Sequence, residues 1–143
     1  NTGTWVSAGM LRTQLIAAGN GLIQEAVITG HDNEFVGAIV FPNIEYCKNL
    51  AGLNNDITYL EIINNATVKN KLKQVLNEMA LTNTGSASLI KKAVFADFTL
   101  SMDMGELTDK GTVNQRMVIQ NHPEILNKLY SSLHNNEIIE LKK

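Results

Sequence analysis

Leu22-Ile23-Gln24-Glu25-Ala26-Val27-Ile28-Thr29, Gly30-His31-Asp32-Asn33-Glu34 and Phe35-Val36-Gly37-Ala38-Ile39-Val40-Phe41 follow one another without interruption, and together they decide the fold. The outer runs are rich in β-branched and aromatic residues, which suit a pleated, half-buried surface, and the middle run is a turn-forming cluster. The reading is a β-hairpin. In its turn the Asp32 side chain can bond the local backbone, which accounts for the His31-Asp32 pair without chemistry.

Downstream, Pro42 ends the second strand, and Asn43 can cap a helix with Ile44, Cys47, Leu50 and Ala51 on one side before Gly52 closes it. Asp56 can cap a short helix over 57–63. A longer helix opens at 65–67, where Val68, Leu72, Val75, Leu76 and Met79 recur at helical spacing as a core stripe. After a loop at 82–86, residues 88–92 lead into a third strand that ends near Leu100, since Val94-Phe95-Ala96-Asp97-Phe98-Thr99-Leu100 alternates in apolarity. That strand is the expected partner of the hairpin. From Asn114 the pattern turns helical. His122-Pro123 breaks it and puts Pro123 first in a final helix bearing Ile125, Leu126, Leu129 and Leu133, with His134 also in it and residues 135–143 frayed.

Upstream, Ser7 can cap a helix through Met10, Leu11, Leu15 and Ile16 that Gly19 or Gly21 stops, and Thr4-Trp5-Val6 is a short β-type run. The expectation is an α+β domain with a small three-stranded sheet, helices on its faces and a short N-terminal β-ribbon.

At 143 residues and 44% hydrophobic content the chain amounts to one domain, able to bury roughly two-thirds of its unfolded surface. Twelve basic and fourteen acidic residues give a net charge of −2, so no electrostatic footprint for nucleic acid or an anionic membrane is present. The lone Cys47 cannot form an internal disulfide and has no metal-type cluster around it. No metal site is expected. With no apolar run near the ~20 residues of a membrane span and no leader pattern, the chain reads as cytoplasmic. It opens at Asn1 with no initiator methionine, directly on a strand signal. The expectation is a piece of something larger, with the missing part N-terminal.

Gly105-Glu106-Leu107-Thr108-Asp109-Lys110-Gly111-Thr112-Val113-Asn114 sets one lysine between glycines, on a polar connection from a strand to a helix. Such a connection faces outward. Lys110 is therefore either an ordinary exposed turn lysine or a cation for an oxyanion on a second body, a task its compact ammonium and flexible stem suit. Asp109 beside it can pair with a cation or face solvent, and solvent is the expectation because exposed pairs are weak. No Ser/His/Asp order or paired catalytic carboxylates stand out, and neither His122 nor His134 looks catalytic. Gly19-Asn20-Gly21 follows a helix and lacks lysine, so it is no phosphate loop.

Three collinear segments, Thr2-Gly3-Thr4-Trp5-Val6-Ser7, Val27-Ile28-Thr29-Gly30-His31-Asp32, and Gly105 to Gly111 with Asn114-Gln115-Arg116, resemble the C-terminal domain of feruloyl-CoA synthases. Those enzymes belong to the acyl-adenylate-forming superfamily of acyl-CoA synthetases, luciferases and nonribosomal-peptide adenylation domains. Where the superfamily usually has Ser-Gly-Lys followed by arginine, this chain has Asp109 before Lys110 and Asn114-Gln115 after it. At those positions it resembles the feruloyl-type branch.

The resemblance implies that residues 1–143 are a mobile C-terminal domain and that a large N-terminal domain holds ATP with Mg2+ and an aromatic carboxylic acid. It implies formation of acyl-AMP and then acyl transfer to coenzyme A, with domain rotation between the steps. Lys110 matches the adenylation lysine. Gly3, with Thr4 and Trp5, matches the segment lining the channel for the pantetheine arm of coenzyme A, where a residue without Cβ admits close backbone approach. Trp5 is either a wall of that channel or a structural aromatic of a half-buried strand. The alternative from another class is a stand-alone, non-catalytic interaction domain of the same fold.

Overall fold

The computed structural model describes residues 7–30, 33–82 and 89–141. Helix α1 (Ala8–Gly19) leads into strands β1 (Ile23–Thr29) and β2 (Val36–Pro42), followed by α2 (Ile44–Ala51), α3 (Tyr59–Asn64) and α4 (Ala66–Thr82). Strand β3 (Ile90–Phe95), helices α5 (Gln115–Asn121) and α6 (Pro123–Tyr130) and strand β4 (Ile138–Glu140) complete it. The sheet has four strands in the order β1-β2-β3-β4. Strands β1 and β2 form the expected antiparallel hairpin, with Val27 opposite Ile39. Strand β3 runs parallel to β2, with Val94 beside Ile39. A parallel neighbour needs a long crossover, which α2 to α4 provide.

Side-chain alternation divides the core between the two faces of the sheet. Ala26, Ile28, Ala38, Val40, Ala93 and Phe95 face Leu11 and Leu15 of α1 and the Val68, Leu72, Val75, Leu76, Met79 stripe of α4. Val27, Ile39, Phe41 and Val94 face Val113, Val118, Ile125 and Leu129 on the other side. Helices cover both faces, as expected.

The expected three strands become four, because Ile138 and Ile139 pair with Val94 and Ala93 in place of fraying. Ile139 is 5% exposed, so burial of one side chain holds a strand too short to show an alternation pattern. The third strand also stops at Phe95, ahead of the expected end near Leu100. A final ladder bond runs from the Ala96 N–H to Val40 O at 2.8 Å, and the chain then bends at 97–98. The alternation persisted beyond it because Phe98 and Leu100 pack against the second core from a loop.

Helix α1 ends on Asn20, between the two expected glycines, in the left-handed region at φ 47°. Ser7 precedes that helix without a side-chain capping bond. Helix α3 is capped by Thr58 and not by Asp56, since Thr58 and Glu61 bond reciprocally in a capping box. Asn43 caps α2 and Gly52 ends it as expected. Helix α6 stops at Tyr130, leaving His134 outside it and Leu133 79% exposed, so Leu133 is not core. The N-terminal ribbon and the His31-Asp32 turn pair lie outside the described residues.

Candidate functional site

The connection from β3 to α5 carries Lys110, and its shape is set locally. After the bend, the Phe98 ring lies flat on the His122 imidazole, centroids 3.5 Å apart, and edge-on to Phe41 at 5.5 Å. The next turn is closed by the Gly105 N–H donating to Met102 O at 3.0 Å and the Met104 N–H to Ser101 Oγ at 3.1 Å. Leu107 then pairs antiparallel with Val113. Across that small hairpin the Thr108 N–H donates to Thr112 O and the Gly111 N–H to Thr108 O, both at 2.9 Å. Asp109 and Lys110 form its tip. Gly111 closes the turn at φ 82°, a conformation that costs a residue with a Cβ about 1–2 kcal/mol.

Glu106 sits at the base of the hairpin, only 1% exposed. Its Oε1 accepts the Ser101 N–H at 3.0 Å, and its Oε2 accepts Asn121 Nδ2 at 3.0 Å and bonds His122 Nε2 at 2.7 Å. Its own N–H donates to Ser101 O at 2.9 Å and its carbonyl accepts the Asn114 N–H at 2.8 Å. Burial pushes the carboxyl pKa up, but the bonds from Asn121, His122 and the Ser101 amide outweigh it and hold the group below the usual 4.5. A buried charge is tolerable when bonded in this way.

Beyond the hairpin, Asn114 Oδ1 accepts the Met117 N–H at 3.1 Å and caps α5, at the residue where the sequence pattern turns helical. Gln115 Oε1 accepts the Ile28 N–H at 2.7 Å, tying the start of α5 to the outer edge of β1. The hairpin is thus fixed at its base and free at its tip. Lys110 and Asp109 are exposed and form no ion pair or hydrogen bond with one another or with any other described residue.

Of the residues singled out from the sequence, Lys110 lies at this tip, whereas Gly3, Thr4 and Trp5 lie outside the described residues. Glu106, Asn121 and His122 were not read as a unit. The available signal was an acidic residue inside a glycine-bearing loop and a His-Pro helix break, neither of which announces contact between them across sixteen residues. Among the described residues no group of His, Cys, Asp and Glu could hold a metal ion, and no helix is long and apolar enough to cross a membrane.

A family model described as the AMP-binding enzyme C-terminal domain matches residues 2–134. No curated protein matches the chain. Among solved structures, the chain is similar to the A domain of a carboxylic acid reductase from Segniliparus rugosus in complex with AMP and a co-purified carboxylic acid, at 19% identity and TM-score 0.67, covering 93% of this chain and 19% of that one. It is similar to the adenylation domain of a carboxylate reductase from Mycobacterium chelonae, at 17% identity and TM-score 0.65, covering 90% and 18%. The A-PCP didomain of the Segniliparus rugosus reductase in complex with AMP gives 18% identity and TM-score 0.64, covering 89% and 16%. These likenesses show a shared fold, and the chain spans less than a fifth of the length of each of those chains. The chain belongs to the AMP-binding enzyme C-terminal domain family, part of the adenylate-forming enzymes.

Proposed function

We propose that the chain, as a member of that family, is the mobile C-terminal domain of an ATP-dependent acid–CoA ligase of the feruloyl-CoA synthase type, with Lys110 as its adenylation lysine. One observation carries the reading. An exposed ammonium without an ion-pair partner among the described residues stands at the tip of a hairpin whose base is anchored by the buried Glu106. A cation held in this way can enter a site on another body without first breaking a bond of its own.

In the first half-reaction a substrate carboxylate oxygen bonds to the α-phosphorus of ATP as the bond to the bridging oxygen breaks and pyrophosphate leaves. Two anionic groups must approach each other. The Lys110 ammonium offsets their repulsion and orients them, and loss of such a contact costs on the order of 10²–10³ in rate. ATP with Mg2+ and the acid are held by a large N-terminal domain outside this chain. Neighbours solved with AMP and with a carboxylic acid support acid activation.

In the second half-reaction the sulfur of coenzyme A bonds to the acyl carbon, AMP leaves with the electron pair, and the thiol proton passes to a base. The use of coenzyme A, and of an aromatic acid, rests on the resemblance of the Gly3-Thr4-Trp5 and Lys110 segments to feruloyl-CoA synthases. Acid-dependent ATP–pyrophosphate exchange by the full-length protein, followed by thioester formation on adding coenzyme A, tests this reading. Hydroxycinnamic acids are expected to support both steps and residues 1–143 alone neither. Exchange without any thioester would remove coenzyme A, and absence of acid-dependent exchange would overturn the reading.

A further inference from the structure

We propose that Glu106 is a positioning residue for adenylation, a buried carboxylate that aims Lys110 by clasping two separate chain segments at the base of its hairpin. The inference rests on the reading of Lys110 given above. Ser101 comes from the loop before the hairpin, and Asn121 and His122 come from the α5–α6 junction after it. The Glu106 backbone adds a second tie to Ser101 on one side and a tie to Asn114, at the start of α5, on the other.

The clasp is referenced to the sheet at two points. His122 is stacked on Phe98, which packs edge-on against Phe41 of β2, and Gln115 bonds the Ile28 amide of β1. Lys110 lies four positions beyond Glu106, the Thr108 amide between them is held across the hairpin by Thr112 O, and the Gly111 amide just past the lysine is held by Thr108 O. A small rotation at the base therefore becomes a displacement at the tip.

If this position served only cohesion, an apolar residue of similar size would avoid burying a charge. What a carboxylate adds is direction, because its two oxygens take three donors from defined angles. Asn121 is fixed further by donating to Met104 O at 3.0 Å. The titratable groups facing Glu106 are His122 directly and, behind the imidazole, Glu124, whose Oε2 lies 3.6 Å from His122 Nδ1.

Glu106→Gln keeps the shape but replaces one acceptor with a donor, so either the Ser101 amide or the Asn121–His122 pair loses its partner. His122→Ala removes one donor and leaves the carboxylate. Both are compared with Lys110→Ala in the full-length protein, reading ATP–pyrophosphate exchange and thioester formation from presynthesised acyl-AMP. Since misplacement by about 1 Å can cost 10²-fold, Glu106→Gln is expected to lower the exchange kcat by about tenfold or more, with KM for ATP and acid unchanged. Transfer from acyl-AMP should persist, and His122→Ala should fall in the same direction.

Wild-type exchange in both clasp variants beside a dead Lys110→Ala would overturn the positioning role and leave the lysine standing. Equal loss of both half-reactions in both variants would show a merely structural residue. Wild-type exchange in Lys110→Ala would remove the lysine and, with it, the role proposed for Glu106. If Glu106→Gln fails to fold, His122→Ala decides.

Discussion

Glu106 and Lys110 lie four positions apart with opposite surroundings, one carboxylate buried and one ammonium exposed, and each is legible in the sequence to a different degree. Lysine between glycines on a strand-to-helix connection can be read as outward-facing because glycine-bearing turns sit at the surface. Glu106 could not be read, since its partners Asn121 and His122 are brought to it by the α5–α6 junction and not by local spacing. The depressed carboxyl pKa carries a prediction. With the folded value below the ordinary 4.5, the unfolded chain binds more protons in that window, so stability rises with pH through it. The stabilising contribution is present above about 4.5 and is lost as pH falls through the folded value. Denaturant midpoints of wild type and Glu106→Gln should therefore differ at neutral pH and converge on acidification. A constant gap down to pH ~3 would show that the carboxylate charge is not what matters.

At the level of elements, helices with long apolar stripes and the hairpin were visible because periodicity reports burial. The α4 stripe of Val68, Leu72, Val75, Leu76 and Met79 is buried throughout. Pattern and structure part where a short segment owes its state to a distant neighbour. Strand β4 exists because β3 offers an edge and a place for Ile139, and Phe98 continues an apolar pattern from a loop because His122 and Phe41 enclose it. The cap of α3 falls to Thr58 for a local reason, as Thr58 and Glu61 carry the capping-box spacing while Asp56 is only nearby. Thr58→Ala should cost about 1 kcal/mol of stability and Asp56→Ala less than about 0.5, as chemical denaturation would show. Equal costs would put the cap elsewhere.

For the whole molecule, the sheet separates two cores. The α1–α4 face is a continuous apolar core, whereas the α5–α6 face carries both a smaller core and, at its margin, the hairpin that displays Lys110. The architecture gives a packed body with an exposed cation on a hairpin anchored at its base, which suits the proposed domain that visits a site and leaves it. The proposed rotation between two half-reactions rests on the resemblance to feruloyl-CoA synthases, because residue patterns within one domain do not encode the surface of another. The most direct test is the full-length protein carrying Lys110→Ala, assayed for ATP–pyrophosphate exchange and separately for thioester formation from presynthesised acyl-AMP. Exchange reduced on the order of 10²–10³ with transfer intact is the predicted result. Unchanged exchange would contradict the account and favour a non-catalytic interaction domain.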